Sequence, residues 1–208
     1  MPVILVIDDH PVVRRGIREI LEELPGKITV DESGTASGGL RKLHTGSYDL
    51  VILDINLPDK SGLQALETIK QMKPDLPVLI ISMYPEEQYA VRALQSGASG
   101  YLTKESAPNE LIDAVRNILK GKKYITQSVA EHIFNLLNHN GPIHTGLSNR
   151  EYEVMILIAK GISLKKIAQI LSLSEKTIST YRKRILGKMH MRSNAEMIRY
   201  VLKNKLIE

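Results

Sequence analysis

The sequence predicts an α/β doubly wound five-stranded parallel sheet followed by a small all-α domain. Three observations carry this. Apolar strand-like runs alternate with helical apolar spacing up to residue 121, strand signals stop after Gly121, and short helical periodicity fills the chain from 147 onward. At 208 residues the chain suits two modest domains, each large enough for its own core.

The strand-like runs fall near 3–8, 28–32, 50–54, 77–82 and 99–103. The central ones are almost continuous Val, Ile and Leu, as strands covered on both faces should be. Between the runs, Val12-Val13…Ile17…Ile20-Leu21…Leu24, Leu63…Leu66…Ile69 and Ala90-Val91…Ala93-Leu94 have helical spacing. A last helix of this half is expected near 107–120, stopping at Gly121, and in all five strands are expected to alternate with five helices. Residues 126–138 suit one amphipathic helix on Val129, Ile133, Leu136 and Leu137. Asn138-His139-Asn140-Gly141-Pro142 is a breaker cluster, and 139–146 reads as a flexible linker. Short helices follow over about 148–160, 164–171, 175–189 and 193–205. The expected organisation is a first domain over 1–121, a linker with its own helix over 122–146, and a second domain over 147–208.

Hydrophobic residues make up 43% of the chain and charged residues 25%, ordinary values for a globular protein. There is no cysteine, which excludes disulfides and thiolate metal sites and suits a reducing, cytoplasmic location. The opening apolar run is five residues long and meets two aspartates, so no signal peptide is expected. No run approaches the length of a membrane span. Charge is unevenly divided. Residues 1–121 hold 13 Lys/Arg against 17 Asp/Glu, and residues 122–208 hold 15 against 6. That asymmetry points the second half toward a polyanion, with a solvated basic surface as the alternative.

Four of the strand-like runs end in residues suited to phosphoryl chemistry: Asp8-Asp9, Asp54, Ser82 and Lys104. Strand ends of a parallel sheet converge on one edge, where ligands bind. Three carboxylates at close range repel one another unless a hard cation sits among them, and Mg2+ takes such oxygen-rich sites. Asp54 is therefore the expected nucleophile, able to accept a phosphoryl group as an acyl phosphate. Asp8, Asp9, Asp54 and the backbone carbonyl of Asn56 are the expected Mg2+ ligands. Lys104 would neutralise phosphoryl oxygens, and Ser82 would hydrogen-bond one of them. Gly62 is expected where a Cβ cannot fit. Taken singly, each residue has a structural reading: Asp9 as a helix cap, Lys104 as a surface lysine, Ser82 as a turn residue. Their joint placement at strand ends is what points to a site.

Asp8-Asp9-His10-Pro11, Asp54-Ile55-Asn56-Leu57-Pro58 with Gly62, Ser82, and Tyr101-Leu102-Thr103-Lys104 resemble the receiver domain of bacterial two-component response regulators. The resemblance covers about residues 1–120. It implies a flavodoxin-like receiver in which a sensor histidine kinase phosphorylates Asp54 with Mg2+. It also implies a switch pair, Ser82 and Tyr101, with the ring turning toward space that the Ser82 hydroxyl leaves. Glu105 and Met83 depart from the usual residues beside Lys104 and Ser82.

In the basic half, Ser148 and Glu151 form a capping-box pattern before a helix expected to bury Val154, Leu157, Ile158 and Ala159. A short helix over 164–171, the turn Ser172-Leu173-Ser174 and a helix over 175–189 make a helix-turn-helix pattern. The last of these is expected to bury Ile178, Ile185 and Met189, with Tyr181 and Leu186 in part. Lys176, Arg182, Lys183, Arg184, Lys188 and Arg192 face one acid, Glu175, within 172–192. Positions 176, 179, 180 and 183 share the face opposite the buried one, which could meet base edges and phosphates, so Lys176 and Arg182 are expected DNA contacts; a solvated face of an all-α protein–protein module is the alternative.

Leu147…Arg150-Glu151…Val154, Gly161…Lys166-Ile167-Ala168…Leu171 and Leu173-Ser174…Lys176-Thr177-Ile178 resemble the DNA-binding domain of NarL/FixJ (LuxR-type) regulators. That resemblance implies base-facing Ser179, Thr180 and Lys183, and phosphate contacts from Thr177, Lys165, Lys166 and Lys188. Ser179 and Tyr181 stand where the family often has Lys and His, which bears on base preference. A last helix with Ala195, Ile198, Val201 and Leu202 resembles the element that pairs two such domains, implying a homodimer on an inverted repeat of double-stranded DNA.

The combined expectation is a DNA-binding response regulator, not an enzyme beyond its own phosphorylation and dephosphorylation, with no membrane partner. A phosphorylation-independent DNA-binding regulator with an inert receiver is the alternative. An aspartate-nucleophile phosphohydrolase would need a second acid where Asn56 stands, and a flavodoxin-like cofactor binder would set Asp8-Asp9 against a phosphate.

Overall fold

In the computed structural model, which describes residues 1–138 and 142–207, every strand-like run of the first half is a strand. The chain alternates β1 (Val3–Ile7), α1 (Pro11–Glu22), β2 (Thr29–Ser33), α2 (Ala36–Thr45), β3 (Leu50–Asp54), α3 (Gly62–Met72), β4 (Val78–Ser82), α4 (Glu86–Gln95), β5 (Gly100–Thr103) and α5 (Ala107–Leu119). The sheet is parallel in the order β2-β1-β3-β4-β5. The order reverses beside β1, so the crevice beyond the carboxyl ends of β1 and β3 is the topological switch point. Pairing of Ile7 with Leu53, Leu53 with Ile80 and Ser82 with Thr103 brings the four strand ends level.

β3 and β4 are buried along their whole length, which explains their unbroken aliphatic sequence. Ile4, Val6, Ile52, Leu79, Ile81 and Leu102 pack with Ile17 and Leu21 of α1 and Leu111, Val115 and Ile118 of α5. The alternating residues turn to the other face, where α2 lies so close on β1 that a Cβ at Gly39 would collide with Ile7. α2 is the helix with the weakest sequence signal. It starts because Thr35 Oγ1 accepts the Gly38 N–H at 3.1 Å and Asp59 accepts the N–H groups of Ala36 and Ser37 at 2.9 and 2.8 Å.

The chain divides into two compact units, Met1–Phe134 and Asn135–Glu208. The expected helix over 126–138 is α6 (Gln127–Asn138), which runs through that division. Val129 is buried as expected and Ile133 half-buried, while the side chains of Leu136 and Leu137 lie outside the described residues. So do residues 139–141 of the expected flexible linker. The rest of that stretch is a correction: Ile143–Gly146 forms a 3₁₀ turn, held by a hydrogen bond of 2.9 Å between His144 Nδ1 and the Tyr200 hydroxyl.

The second unit continues with α7 (Asn149–Ala159), α8 (Leu164–Ile170), α9 (Glu175–Lys188) and α10 (Asn194–Lys203). The capping box is present: Ser148 Oγ accepts the Glu151 N–H at 3.3 Å and Glu151 accepts the Ser148 N–H at 2.8 Å. Ser163, Ser174 and Ser193 cap the other three helices. Ile178, Ile185 and Met189 are buried, and Tyr181 and Leu186 half-buried, as their spacing predicts. Of the residues expected inside α7, Leu157 is only half-buried. Tyr152, Met155 and Ile156 join the core instead, because α8, α9 and α10 surround α7 on more than one side. Among the described residues, no helix is long and apolar enough to cross a membrane.

Candidate phosphoacceptor site and nucleic-acid interface

Each acidic side chain of the crevice leaves from a strand end. Asp54 closes β3 and is 2% exposed, Asp8 follows β1 and is equally buried, and Ser82 closes β4 with no exposure. Lys104 follows β5 and reaches back, donating to Asp54 Oδ2 at 2.7 Å and pairing with Asp8 Oδ2 at 2.6 Å. The Asn56 N–H donates to Asp54 Oδ1 at 3.1 Å. Gly62 opens α3 with its N–H on the Ile55 carbonyl at 2.7 Å, and any Cβ there would collide with the Asp54 carbonyl oxygen. The loop after Asp54 can therefore fold tightly over the acid only with glycine at 62.

The electrostatics follow from burial. Desolvation pushes the Asp54 carboxyl above its ordinary range, against the lowering pull of the Lys104 ammonium and the Asn56 N–H. Burial works against the Lys104 charge, but its bonds to Asp54 and Asp8 hold the ammonium above its ordinary value. The crevice thus keeps a fixed cation beside a desolvated carboxylate.

Asp8, Asp9, His10 and Asp54 each bring a ligand atom to within 4.8 Å of the others. Asp9 Oδ1 is buried and accepts no hydrogen bond: His10 Nδ1 lies 2.7 Å away, out of line for one. A carboxylate oxygen left bare beside two further carboxylates fits a hard cation. His10 is a neighbour that sequence reasoning passed over as part of a motif. Its N–H donates to Asp8 Oδ1 at 2.7 Å, and its ring nitrogen stands 3.5 Å from Lys104 Nζ. Arg14 also supports the site, donating to the Asp8 carbonyl at 2.6 Å and to Glu32 at 3.0 Å. Its helical position gave no sign of this role.

Tyr101 lies inside rather than at the surface, 2% exposed, with its hydroxyl donating to the Tyr84 carbonyl at 2.8 Å. Burial pushes that hydroxyl's pKa well up, so it stays a donor. Ser82 Oγ accepts the Tyr84 N–H at 3.2 Å.

In the second unit, Lys165, Lys166, Lys176, Ser179, Thr180 and Lys183 are exposed, and Thr177 is half-buried. Thr180 Oγ1 donates to the Lys176 carbonyl at 2.9 Å, and Ser174 and Thr177 share a hydroxyl pair at 2.8 Å. Ser174, Lys176, Thr177, Thr180, Tyr181 and Arg184 line a shallow depression on α9. Two expected DNA contacts have other work: Lys188 pairs with the buried Glu151 at 2.7 Å, and Arg182 donates to Asn194 Oδ1 at 2.6 Å. On α10, Ala195 and Leu202 are exposed and Ile198 half-buried. Val201 is a correction: it has no exposed surface and belongs to the unit's own core, so it offers nothing to a second copy.

A parallel-sheet domain with an acidic, lysine-closed crevice, joined to a helix-turn-helix unit with a basic second helix, defines a two-domain response regulator. The response regulator receiver domain model matches residues 4–116, and that of the bacterial regulatory proteins of the luxR family matches 145–201. The chain belongs to the NarL/FixJ family of DNA-binding response regulators. It is 31% identical to the response regulator UvrY of Escherichia coli over 98% of this chain and 94% of that one. It is 34% identical to the oxygen regulatory protein NreC of Staphylococcus carnosus over 99% of both. Among solved structures it resembles RcsB of Salmonella enterica serovar Typhimurium bound to promoter P1flhDC in the presence of phosphomimetic BeF3−. That match has a TM-score of 0.72 and 26% identity over 97% of this chain and 98% of that one.

Proposed function

We propose that Asp54 accepts a phosphoryl group from a sensor histidine kinase and that this switches dimerisation and sequence-specific DNA binding to regulate transcription in the cytoplasm. The receiver would occupy residues 1–121 and the DNA-binding domain 147–208. The observation that carries the reading is the buried Asp54 carboxylate with Lys104 Nζ at 2.7 Å, inside a cluster holding a bare Asp9 oxygen. A carboxylate oxygen of Asp54 would attack the phosphorus of a phosphohistidine. The new bond is O–P, the N–P bond breaks, and the imidazole leaves with its electron pair. Lys104 would then trade part of its hold on Asp54 for a phosphoryl oxygen, and Ser82 Oγ would donate to another.

Mg2+ on Asp8, Asp9, Asp54 and the Asn56 carbonyl would neutralise charge that builds on the phosphoryl oxygens. The chain's own residues do the rest: burial excludes water from the acyl phosphate, and Gly62 lets the loop close over it. Beyond forming and losing this bond, no enzymatic activity is proposed. On DNA, Ser179, Thr180 and Lys183 would face bases, with Lys165, Lys166, Lys176 and Thr177 toward phosphates. Ala195, Ile198 and Leu202 would supply the dimer face on an inverted repeat.

The buried Tyr101 ring favours a second reading, a phosphorylation-independent regulator whose receiver already holds its output conformation. Incubation with acetyl phosphate and Mg2+, followed by intact mass and sizing, separates the two. The switch reading expects one phosphoryl adduct on wild type, none on Asp54→Ala, and a larger species with the adduct. No adduct, or one that persists in Asp54→Ala, sinks it.

A further inference from the structure

Tyr84 is held at both ends of its residue by walls of the crevice: its N–H by Ser82 Oγ and its carbonyl by the Tyr101 hydroxyl. Its ring stacks on Tyr89 of α4 with centroids 4.6 Å apart. The loop after β4 and the start of α4 are therefore tied together. Two residues on, Glu86 opens α4, and its Oε2 accepts a hydrogen bond of 2.6 Å from Thr126 Oγ1, 40 residues away in sequence.

Thr126 immediately precedes α6 and caps it. The Val129 N–H donates to Thr126 Oγ1 at 3.3 Å and the Ala130 N–H to its carbonyl at 3.0 Å. The strap leading to this cap is fastened along β5. Tyr124 donates its N–H to the Ser99 carbonyl at 2.8 Å and its hydroxyl to Glu110 at 2.7 Å. It passes so near Gly100 that a Cβ there would stand 2.8 Å from the Tyr124 carbonyl oxygen. With residue 124 anchored on the sheet, Thr126 is where the segment around α4 can act on α6.

We propose that the Glu86–Thr126 hydrogen bond is a relay, through which rearrangement at Ser82 and Tyr84 loosens or tightens the first turn of α6. The relay rests on the reading of Asp54 as phosphoacceptor. When the Ser82 hydroxyl turns to a phosphoryl oxygen, the Tyr84 N–H shifts with it, and the stacked Tyr84–Tyr89 pair carries that shift to Glu86. Thr126 then follows the carboxylate or loses it. Either response changes how firmly the Val129 and Ala130 amides are held, and α6 is the covalent route to the second unit. Thr126 is thus a positioning residue, in contact with neither phosphoryl group nor DNA.

Hydrogen exchange on the full chain, with and without acetyl phosphate and Mg2+, tests this when paired with intact mass. In wild type carrying the adduct, exchange shifts both in 83–86 and in 127–131, the latter by about fivefold, the effect of one hydrogen bond. In Thr126→Val, and separately in Glu86→Ala, the first segment still shifts and the second does not. Thr126→Ser behaves as wild type. The relay is overturned if 127–131 responds as fully in Thr126→Val and Glu86→Ala as in wild type. It is also overturned if that segment stays still in phosphorylated wild type. If mass shows no adduct on wild type, the phosphoacceptor reading has failed and the relay falls with it.

Discussion

Lys188 Nζ donates to Glu151 Oε2 at 2.7 Å, tying the last turn of α9 to the first turn of α7 across 37 residues. Glu151 is 3% exposed, so the lysine neutralises a carboxylate inside the second unit. Lys188→Met is expected to weaken that unit by about 1–2 kcal/mol, since Lys188 itself is half-exposed and the carboxylate keeps its bond from Ser148. The same variant should leave the salt dependence of DNA binding unchanged. Lys183→Ala, by contrast, should weaken binding and flatten the slope by about one counterion. Titrations over a range of salt concentrations compare the two. Equal slope changes would return Lys188 to the phosphate contacts.

Glu151 also predicts a pH dependence. Burial raises its pKa, but the bonds from Lys188 and Ser148 outweigh burial and hold it below its ordinary value of 4.5. A carboxyl more acidic when folded than unfolded contributes stability that is complete above the unfolded value and is lost as pH falls through the folded one. Amide protection of α7 and α9 should therefore drop below about pH 4.5. Glu151→Gln should flatten that drop. An identical acid profile in the variant would locate the acid sensitivity elsewhere.

Lys104 holds Asp8 and Asp54, the carboxylates that the proposed divalent cation would also take. Lys104→Met leaves Asp8 and Asp54 buried without their ammonium, which should destabilise the receiver by about 3 kcal/mol or more in chelator. Adding Mg2+ should then raise the melting temperature of this variant more than that of wild type, because the ion replaces the lost charge. Thermal scans in chelator and in Mg2+ measure the difference. If Mg2+ leaves both proteins unmoved, these carboxylates do not bind it.

Asp59 ties the loop after Asp54 to the start of α2 through the N–H groups of Ala36 and Ser37. Partial desolvation pushes its carboxyl up, but those bonds and that of the Ser37 side chain outweigh it and hold the carboxyl below the ordinary range. Asp59→Ala should cost about 1 kcal/mol and increase exchange at 36–38, with acyl-phosphate formation retained. Loss of the adduct would show that the loop geometry at Asp54 depends on this cap.

Most of the fold could be read along the chain because its signals are local. Val78-Leu79-Ile80-Ile81 is apolar on both faces, as a strand of a covered parallel sheet should be, and Ser148 with Glu151 marks a helix start whatever surrounds it. α2 was expected only as one of five helices, without a position, because its turn is secured by Thr35 and by Asp59, a residue 23 positions away from Ala36. The 3₁₀ turn at 143–146 sat in a breaker-rich stretch and is held by Tyr200, 56 residues on.

The candidate site divides the same way. Asp8, Asp54, Ser82 and Lys104 were legible because each ends an apolar run. His10 and Arg14 were not, since neither lies at a strand end.

Sequence alone determined the strand ends, the helix periods and the charge division between the halves, since each depends on neighbours a few residues apart. Tertiary structure decided which charges are spoken for. It gave Lys104 to Asp54 and Asp8, Lys188 to Glu151, and Arg182 to Asn194, and it turned Val201 inward while leaving Leu202 outside. The physical reason is that periodicity shows that a face is apolar, while a long side chain finds its partner only after distant segments have packed.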